Sequence, residues 1–129
     1  MTSCAHAPES VLVTGGGGFL GLAIVRALAA RGDRVRSYSR SVHAELKALG
    51  IEQVCGDIAD LRTLEDACAG MEAVFHTAAK PPPWGRTVDY HRTNVLGTQN
   101  VIAACRNTRV PRLIHTSTPS VVFDGRDLE

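Results

Sequence analysis

The spacing of apolar positions changes repeatedly along the chain, and each change marks an element. Ser10 to Thr14 is a short β-branched apolar run, Gly15 to Gly18 interrupt it, and Phe19 to Ala30 then place Leu22, Val25 and Ala29 at helical spacing, with Ile24 and Leu28 on adjoining faces. This predicts a strand, a tight turn and a helix, with Gly32 as the helix terminator. Arg34 to Tyr38 alternates as a second strand, and Val42 to Leu49 reads as a short helix closed by Gly50. Ile51 to Val54 is the third strand, with Gly56-Asp57-Ile58 as the turn at its carboxyl end. Asp60 stands as N-cap to a helix over Leu61 to Ala69 that Gly70 stops. Glu72 to His76 is almost uninterruptedly apolar, as in a strand covered on both faces. Pro81 to Pro83 hold the chain extended ahead of Trp84 and Gly85, and a long helix is expected from about Val88 to Asn107, carrying Val95, Gln99, Ile102 and Arg106. Pro111 opens a fifth strand that runs through His115 into Thr116.

Strands alternating with helices call for an α/β fold of three layers, a parallel sheet with right-handed crossovers, in the expected order 3-2-1-4-5. Ligands of such sheets bind beyond the carboxyl ends of the strands where the order reverses, here between the first and fourth strands. The sequence at that place is Thr14-Gly15-Gly16-Gly17-Gly18-Phe19-Leu20-Gly21. Gly15 permits a sharp turn, Gly18 lets the backbone approach a pyrophosphate, and Gly21 lets the helix pack closely on its strand. The uncapped amides and positive dipole end of the helix then face the anion. A glycine-rich hairpin or flexible loop is the competing reading, and the strand before and helix after weigh against it.

Roughly 20 residues past the glycines, the end of the second strand of such a site carries an acid for a ribose diol or an arginine for a 2′-phosphate. Ser37, Tyr38, Ser39 and Arg40 stand there, with no acid among them. An arginine fork beside the Ser39 hydroxyl suits a phosphate dianion, so the expected cofactor is NADP, with NAD as the alternative. Asp33 precedes the second strand and belongs to the opposite end of the sheet, as a turn residue.

Composition narrows the class further. With 129 residues, 44% hydrophobic and 21% charged, the chain suits one globular domain, residues 10–129, behind a leader over 1–9 that has neither the basic start nor the apolar core of a secretory signal. A net charge of +1 without basic runs argues against a nucleic-acid partner. The longest uncharged stretch, Ser10 to Val25, is too short and too rich in glycine to span a membrane. Cys4, Cys55, Cys68 and Cys105 show no Cys-x-x-Cys spacing; no metal site is expected, and they read as plain thiols in a reducing cytoplasm. His76 and His115 read as strand-end residues, because neither has a partner acid at a telling spacing.

Taken with Gly56-Asp57-Ile58, His76-Thr77-Ala78-Ala79-Lys80, Asn94-Val95-Leu96-Gly97-Thr98 and His115 to Phe123, the glycine stretch resembles the extended short-chain dehydrogenase/reductases, and more narrowly their 3β-hydroxysteroid dehydrogenase branch. The resemblance implies a Rossmann fold, here its amino-terminal part, ending before the later strands and the substrate-binding part. It implies that Thr14, Gly15, Gly17, Gly18, Phe19, Leu20 and Gly21 cradle the cofactor with Ser39 and Arg40, that Asp57 and Ile58 meet the adenine, and that Ala78, Ala79 and Lys80 line the ribose and nicotinamide side. Asn94 would steady the active-site helix and its water relay, and Thr118, or Ser117 beside it, would hold the substrate carbonyl. The implied substrate is a small ketone reduced to a secondary alcohol, a 2-alkyl-3-oxoalkanoate or a molecule like a 3-keto steroid, and the implied assembly of the full-length protein is a homodimer.

The family's acid is the tyrosine of a Tyr-x-x-x-Lys pair. Tyr38 is followed four residues on by Val42 and Tyr90 by Asn94, so neither supplies it, and the chain by itself is expected to bind rather than to catalyse. A sugar-nucleotide epimerase or dehydratase and a non-catalytic dinucleotide sensor are the alternatives. The assignment of Arg40 is open to direct measurement: Arg40→Ala should shift the ratio of the NADP and NAD dissociation constants toward NAD, and an unchanged ratio would contradict it.

Overall fold

The structure, a computed structural model, describes residues 7–77 and 95–116. The nine described elements alternate as expected: β1 (Ser10–Thr14), α1 (Phe19–Ala30), β2 (Arg34–Ser39), α2 (Ala44–Ala48), β3 (Glu52–Cys55), α3 (Leu61–Cys68), β4 (Ala73–His76), α4 (Gly97–Asn107) and β5 (Arg112–His115). All strand pairs are parallel and the sheet order is β3-β2-β1-β4-β5.

Because successive strand residues point to opposite faces, β1 feeds two cores. Val11 and Val13 pack with Val25 and Leu28 of α1, Val35, Leu46 of α2 and Ala73. Leu12 faces the other way, with Tyr38, Leu64 and Cys68 of α3, Val74, and Val101, Ala104 and Cys105 of α4. Burial of both faces explains why β1 and β4 read as continuous apolar runs.

Two helices depart from their expected form. α2 is shorter than Val42 to Leu49, because His43 is extended (φ −113°, ψ 130°) and both its peptide groups bond the Gln53 side chain, at 2.8 and 3.2 Å. In α4, of whose expected span 88–94 lies outside the described residues, the buried face is not the one carrying Val95 and Ile102, which are 42% and 39% exposed. Gly97, Val101, Ala104 and Cys105 are buried instead, a set at four- and three-residue spacing that meets α3 and β4.

α1 seats on the sheet through a backbone contact. Gly15 takes φ 72°, turning the chain sharply after β1, and a Cβ added at Gly21 would overlap the Gly15 carbonyl oxygen. Alanine is intrinsically the better helix former by about 1 kcal/mol. Gly21→Ala should nevertheless lower the unfolding free energy by about 1–3 kcal/mol, the usual range for overpacking, in urea denaturation. A stabilised variant would contradict the close approach.

Candidate functional site

Strand register decides what meets at the site. Thr14 lies level with Tyr38 on one side and His76 on the other, Ser39 with Cys55, and His76 with His115. The segments after all five strands therefore leave the same carboxyl edge, with Gly15 at the reversal between β1 and β4.

The glycine turn is held by Gly15 N–H donating to the Tyr38 carbonyl (3.0 Å) and Gly18 N–H to the Gly15 carbonyl (3.0 Å). Gly18 is the N-cap of the 12-residue α1, so no side chain accepts from the first-turn amides, and that turn holds no acid. Phe19 and Leu20 are exposed, leaving the helix start open to solvent. A Cβ at Gly16 would lie 2.6 Å from the buried Ser37 Oγ, which has no hydrogen-bond partner among the described residues; one at Gly17 would fall on the His43 ring. The uncapped amides at the start of α1 fit the phosphates of a dinucleotide, which would rest on backbone from Gly15 to Gly21. Thr14 is different in kind: fully buried, it supports the turn from beneath.

At the end of β2, the Ser39 hydroxyl donates to the Ser41 carbonyl (2.8 Å), and Arg40 is exposed without an ion pair among the described residues. Asp33, by contrast, lies at the amino edge, where its carboxylate accepts from Glu9 N–H (3.0 Å) and pairs with Arg31 (2.6 Å). A hollow of about 540 Å³ also opens at that far edge. Its arginines are engaged, Arg34 on Ser10 and Arg36 on Glu52 and the Ala67 carbonyl.

The loop after β3 is tethered from three directions. Asp57 Oδ1 accepts from Ala59 N–H (2.9 Å), the Tyr38 hydroxyl donates to the Asp57 carbonyl (2.8 Å), and Asn100 Nδ2 donates to the Ile58 carbonyl (3.1 Å). Ile58 is 7% exposed and packs under α4, where a Cβ at Gly97 would lie 2.7 Å from its Cγ2. Burial, with the Asp60 and Asp57 carboxylates nearby, pushes the Tyr38 phenol up to about 12, so it stays a hydrogen-bond donor at neutral pH.

His76 is 2% exposed, with Nδ1 2.8 Å from Thr14 Oγ1, Nε2 3.0 Å from Thr98 Oγ1, and its ring stacked on His115 at 5.1 Å. Burial first, and the His115 ring second, push its pKa down to about 4. Both ring nitrogens face threonine hydroxyls. Tyr38, His43, His76, Thr98 and Asn100 shape the site without having been given a role in it; the placing of Tyr38 and His76 at strand ends, and of His76 and Thr98 in motifs that carry the resemblance, pointed toward it. Ala78, Ala79, Lys80, Asn94, Ser117 and Thr118 lie outside the described residues. Among those residues, no cluster suited to a metal ion occurs, and no helix is long and apolar enough to cross a membrane. Cys68 and Cys105 are buried against each other, and Cys55 is exposed.

A parallel sheet in this order, with a glycine turn at its reversal, is a Rossmann arrangement of the short-chain dehydrogenase/reductase type. Residues 12–129 match the 3-beta hydroxysteroid dehydrogenase/isomerase family, and the chain belongs to it. It is 52% identical over 111 residues to the 2-alkyl-3-oxoalkanoate reductase of Stenotrophomonas maltophilia (strain K279a), a match covering 86% of this chain and 34% of that protein. It is 37% identical over 129 residues to the mouse (Mus musculus) decarboxylating sterol-4-alpha-carboxylate 3-dehydrogenase, covering 100% of this chain and 35% of that protein. Among solved structures, MoeE5 in complex with UDP-glucose and NAD is similar at TM-score 0.78 and 34% identity, over 88% of this chain and 38% of that one. A short-chain dehydrogenase/reductase superfamily protein from Agrobacterium tumefaciens with bound NAD gives 0.79 and 31%, over 92% and 35%. The chain spans about a third of the length of these curated relatives.

The titration of His76 has a thermodynamic consequence. Its folded pKa lies below the ordinary 6.5, so the protonated ring favours the unfolded chain. The stabilisation is complete above pH 6.5 and is lost as pH falls through 4, by about 3 kcal/mol for one such group. Urea denaturation of the chain and of Thr98→Val between pH 7 and 4 should show this slope in both; a chain equally stable at pH 7 and pH 4 would contradict it.

Proposed function

We propose that the chain forms the dinucleotide-binding part of an NADP-dependent oxidoreductase that reduces a ketone to a secondary alcohol. The observation that carries the reading is Arg40, exposed and without an ion pair among the described residues, at the carboxyl end of β2, where the sequence from Ser37 to Arg40 offers no acid to receive a ribose diol. Its planar fork would take a 2′-phosphate bidentately, with the Ser39 hydroxyl beside it. The amides at the start of α1 would take the pyrophosphate, and the tethered Asp57-Ile58 loop would border the adenine. Bound NADPH supplies the hydride.

The residues outside the described segments complete the reading through family resemblance. In the sequence Ala78, Ala79 and Lys80 come after β4, Asn94 before α4, and Ser117 and Thr118 after β5; by resemblance the first three would line the nicotinamide side, Asn94 would steady the active-site helix, and Thr118 or Ser117 would hold the ketone oxygen. The proton donor of the Tyr-x-x-x-Lys type is not among the 129 residues, so the complete protein would supply it from elsewhere. Identity to the 2-alkyl-3-oxoalkanoate reductase supports a 2-alkyl-3-oxoalkanoate as substrate. Likeness to MoeE5, which was solved with UDP-glucose and NAD, supports sugar-nucleotide chemistry as the second reading.

Calorimetric titration of the chain should show NADPH binding more tightly than NADH. With a 2-alkyl-3-oxoalkanoate added, NADPH absorbance should stay constant, since the proton donor is missing; turnover at ordinary enzyme rates by these 129 residues would overturn the division of labour. In the complete protein, that substrate should consume NADPH and UDP-glucose should not. Conversion of UDP-glucose in the presence of NAD, with no consumption of NADPH, would favour sugar-nucleotide chemistry instead.

A further inference from the structure

We propose that His76 is a positioning residue that couples the nucleotide turn after β1 to the first turn of α4. Its functional meaning rests on the dinucleotide reading above; the coupling itself does not. Four segments meet on this residue. Nδ1 faces Thr14 Oγ1 at the end of β1 and Nε2 faces Thr98 Oγ1 in the first turn of α4. The His76 carbonyl accepts from Thr116 N–H (3.2 Å), holding the chain where it leaves β5 toward Ser117 and Thr118. The next residue closes the arrangement, since Thr77 N–H donates to Thr14 Oγ1 (3.0 Å) and the Thr77 hydroxyl donates to the Thr14 carbonyl.

A neutral imidazole has one donor and one acceptor nitrogen. One threonine hydroxyl must therefore donate to the ring while the other accepts from it, and exchanging the tautomer reverses both at once. The hydroxyl orientation at Thr14, immediately before Gly15, is thus tied to that at Thr98, four residues past Asn94. A doubly protonated ring would donate on both sides, both hydroxyls would then accept, and the opposed roles that tie one hydroxyl to the other would be lost. Among the described residues, the groups facing the ring are Thr14 from β1, Thr98 from α4 and the titratable His115 from β5. Burial and His115 keep the ring neutral down to about pH 4, so the coupling persists across the physiological range.

Replacing a fully buried ring threatens folding, so the test is placed on Thr98, which is half-buried, with Thr108→Val as the control: its hydroxyl bonds the Ala104 carbonyl at the other end of α4. Amide spectra of the chain without nucleotide should show Gly15 to Gly18 shifted in Thr98→Val and unmoved in Thr108→Val. In the unsubstituted chain the same amides should be constant from pH 8 to 5 and titrate near pH 4. NADPH should bind Thr98→Val about threefold or more weakly, the scale of one net hydrogen bond, at a melting temperature matching the control. Glycine amides that superimpose on those of the unsubstituted chain, or an unchanged NADPH affinity, would overturn the proposal. Failure of the unsubstituted chain to bind NADPH would instead overturn the dinucleotide reading, and the amide shifts would still decide the coupling.

Discussion

The contact of Gly21 with the Gly15 carbonyl is the constraint on which the remaining geometry depends. It lets α1 begin immediately after the turn and lie against β1, where Val25 and Leu28 complete one core. The same contact leaves the start of the helix uncovered at the carboxyl edge of the sheet, between β1 and β4. A larger residue at 21 would push the helix away from the turn, and the amides facing an anion would lose their placement. Fold and candidate binding site are in this respect one packing problem.

A second layer of buried polar groups holds the rim of that edge. Tyr38 lies beneath the Asp57 loop, where a Cβ at Gly56 would come within 2.5 Å of its hydroxyl, and Asn100 reaches the same loop from α4. His76 joins β1, β4, α4 and the end of β5. None of these needs to touch a ligand to matter, because a dinucleotide spread over several strand ends demands that those ends keep their spacing. The low pKa of His76 and the high one of Tyr38 share a cause in burial, which keeps both groups neutral and fixed in hydrogen-bonding role near pH 7.

Much of this was legible in the sequence because local period and turn chemistry dominate where an element is buried on both faces. β1, β4 and α1 carry unambiguous patterns, their alternation with helices gives a parallel sheet, and the glycine turn after β1 points to the order 3-2-1-4-5. The buried side of α4 was not legible: Val95 and Ile102 are as apolar as Val101, and only the position of α3 decides which of them is covered. The shortening of α2 is likewise set by Gln53, ten residues away, and the Thr14, His76 and Thr98 arrangement by contacts across 62 and 22 residues. Ile58, expected from resemblance at the adenine, has its side chain packed against Gly97 of α4, a contact set by residues 39 positions apart.

The central claim is that a dinucleotide rests on the turn from Gly15 to Gly21 with its ribose phosphate toward Arg40. An amide chemical-shift map of the chain titrated with NADPH tests it most directly. The largest changes should fall at Gly15 to Gly21 and at Ser39 and Arg40, with Asp33, Gly50 and Gly70 at the opposite edge unmoved. Saturable binding that leaves the glycine turn unperturbed, or that perturbs the opposite edge instead, would contradict it.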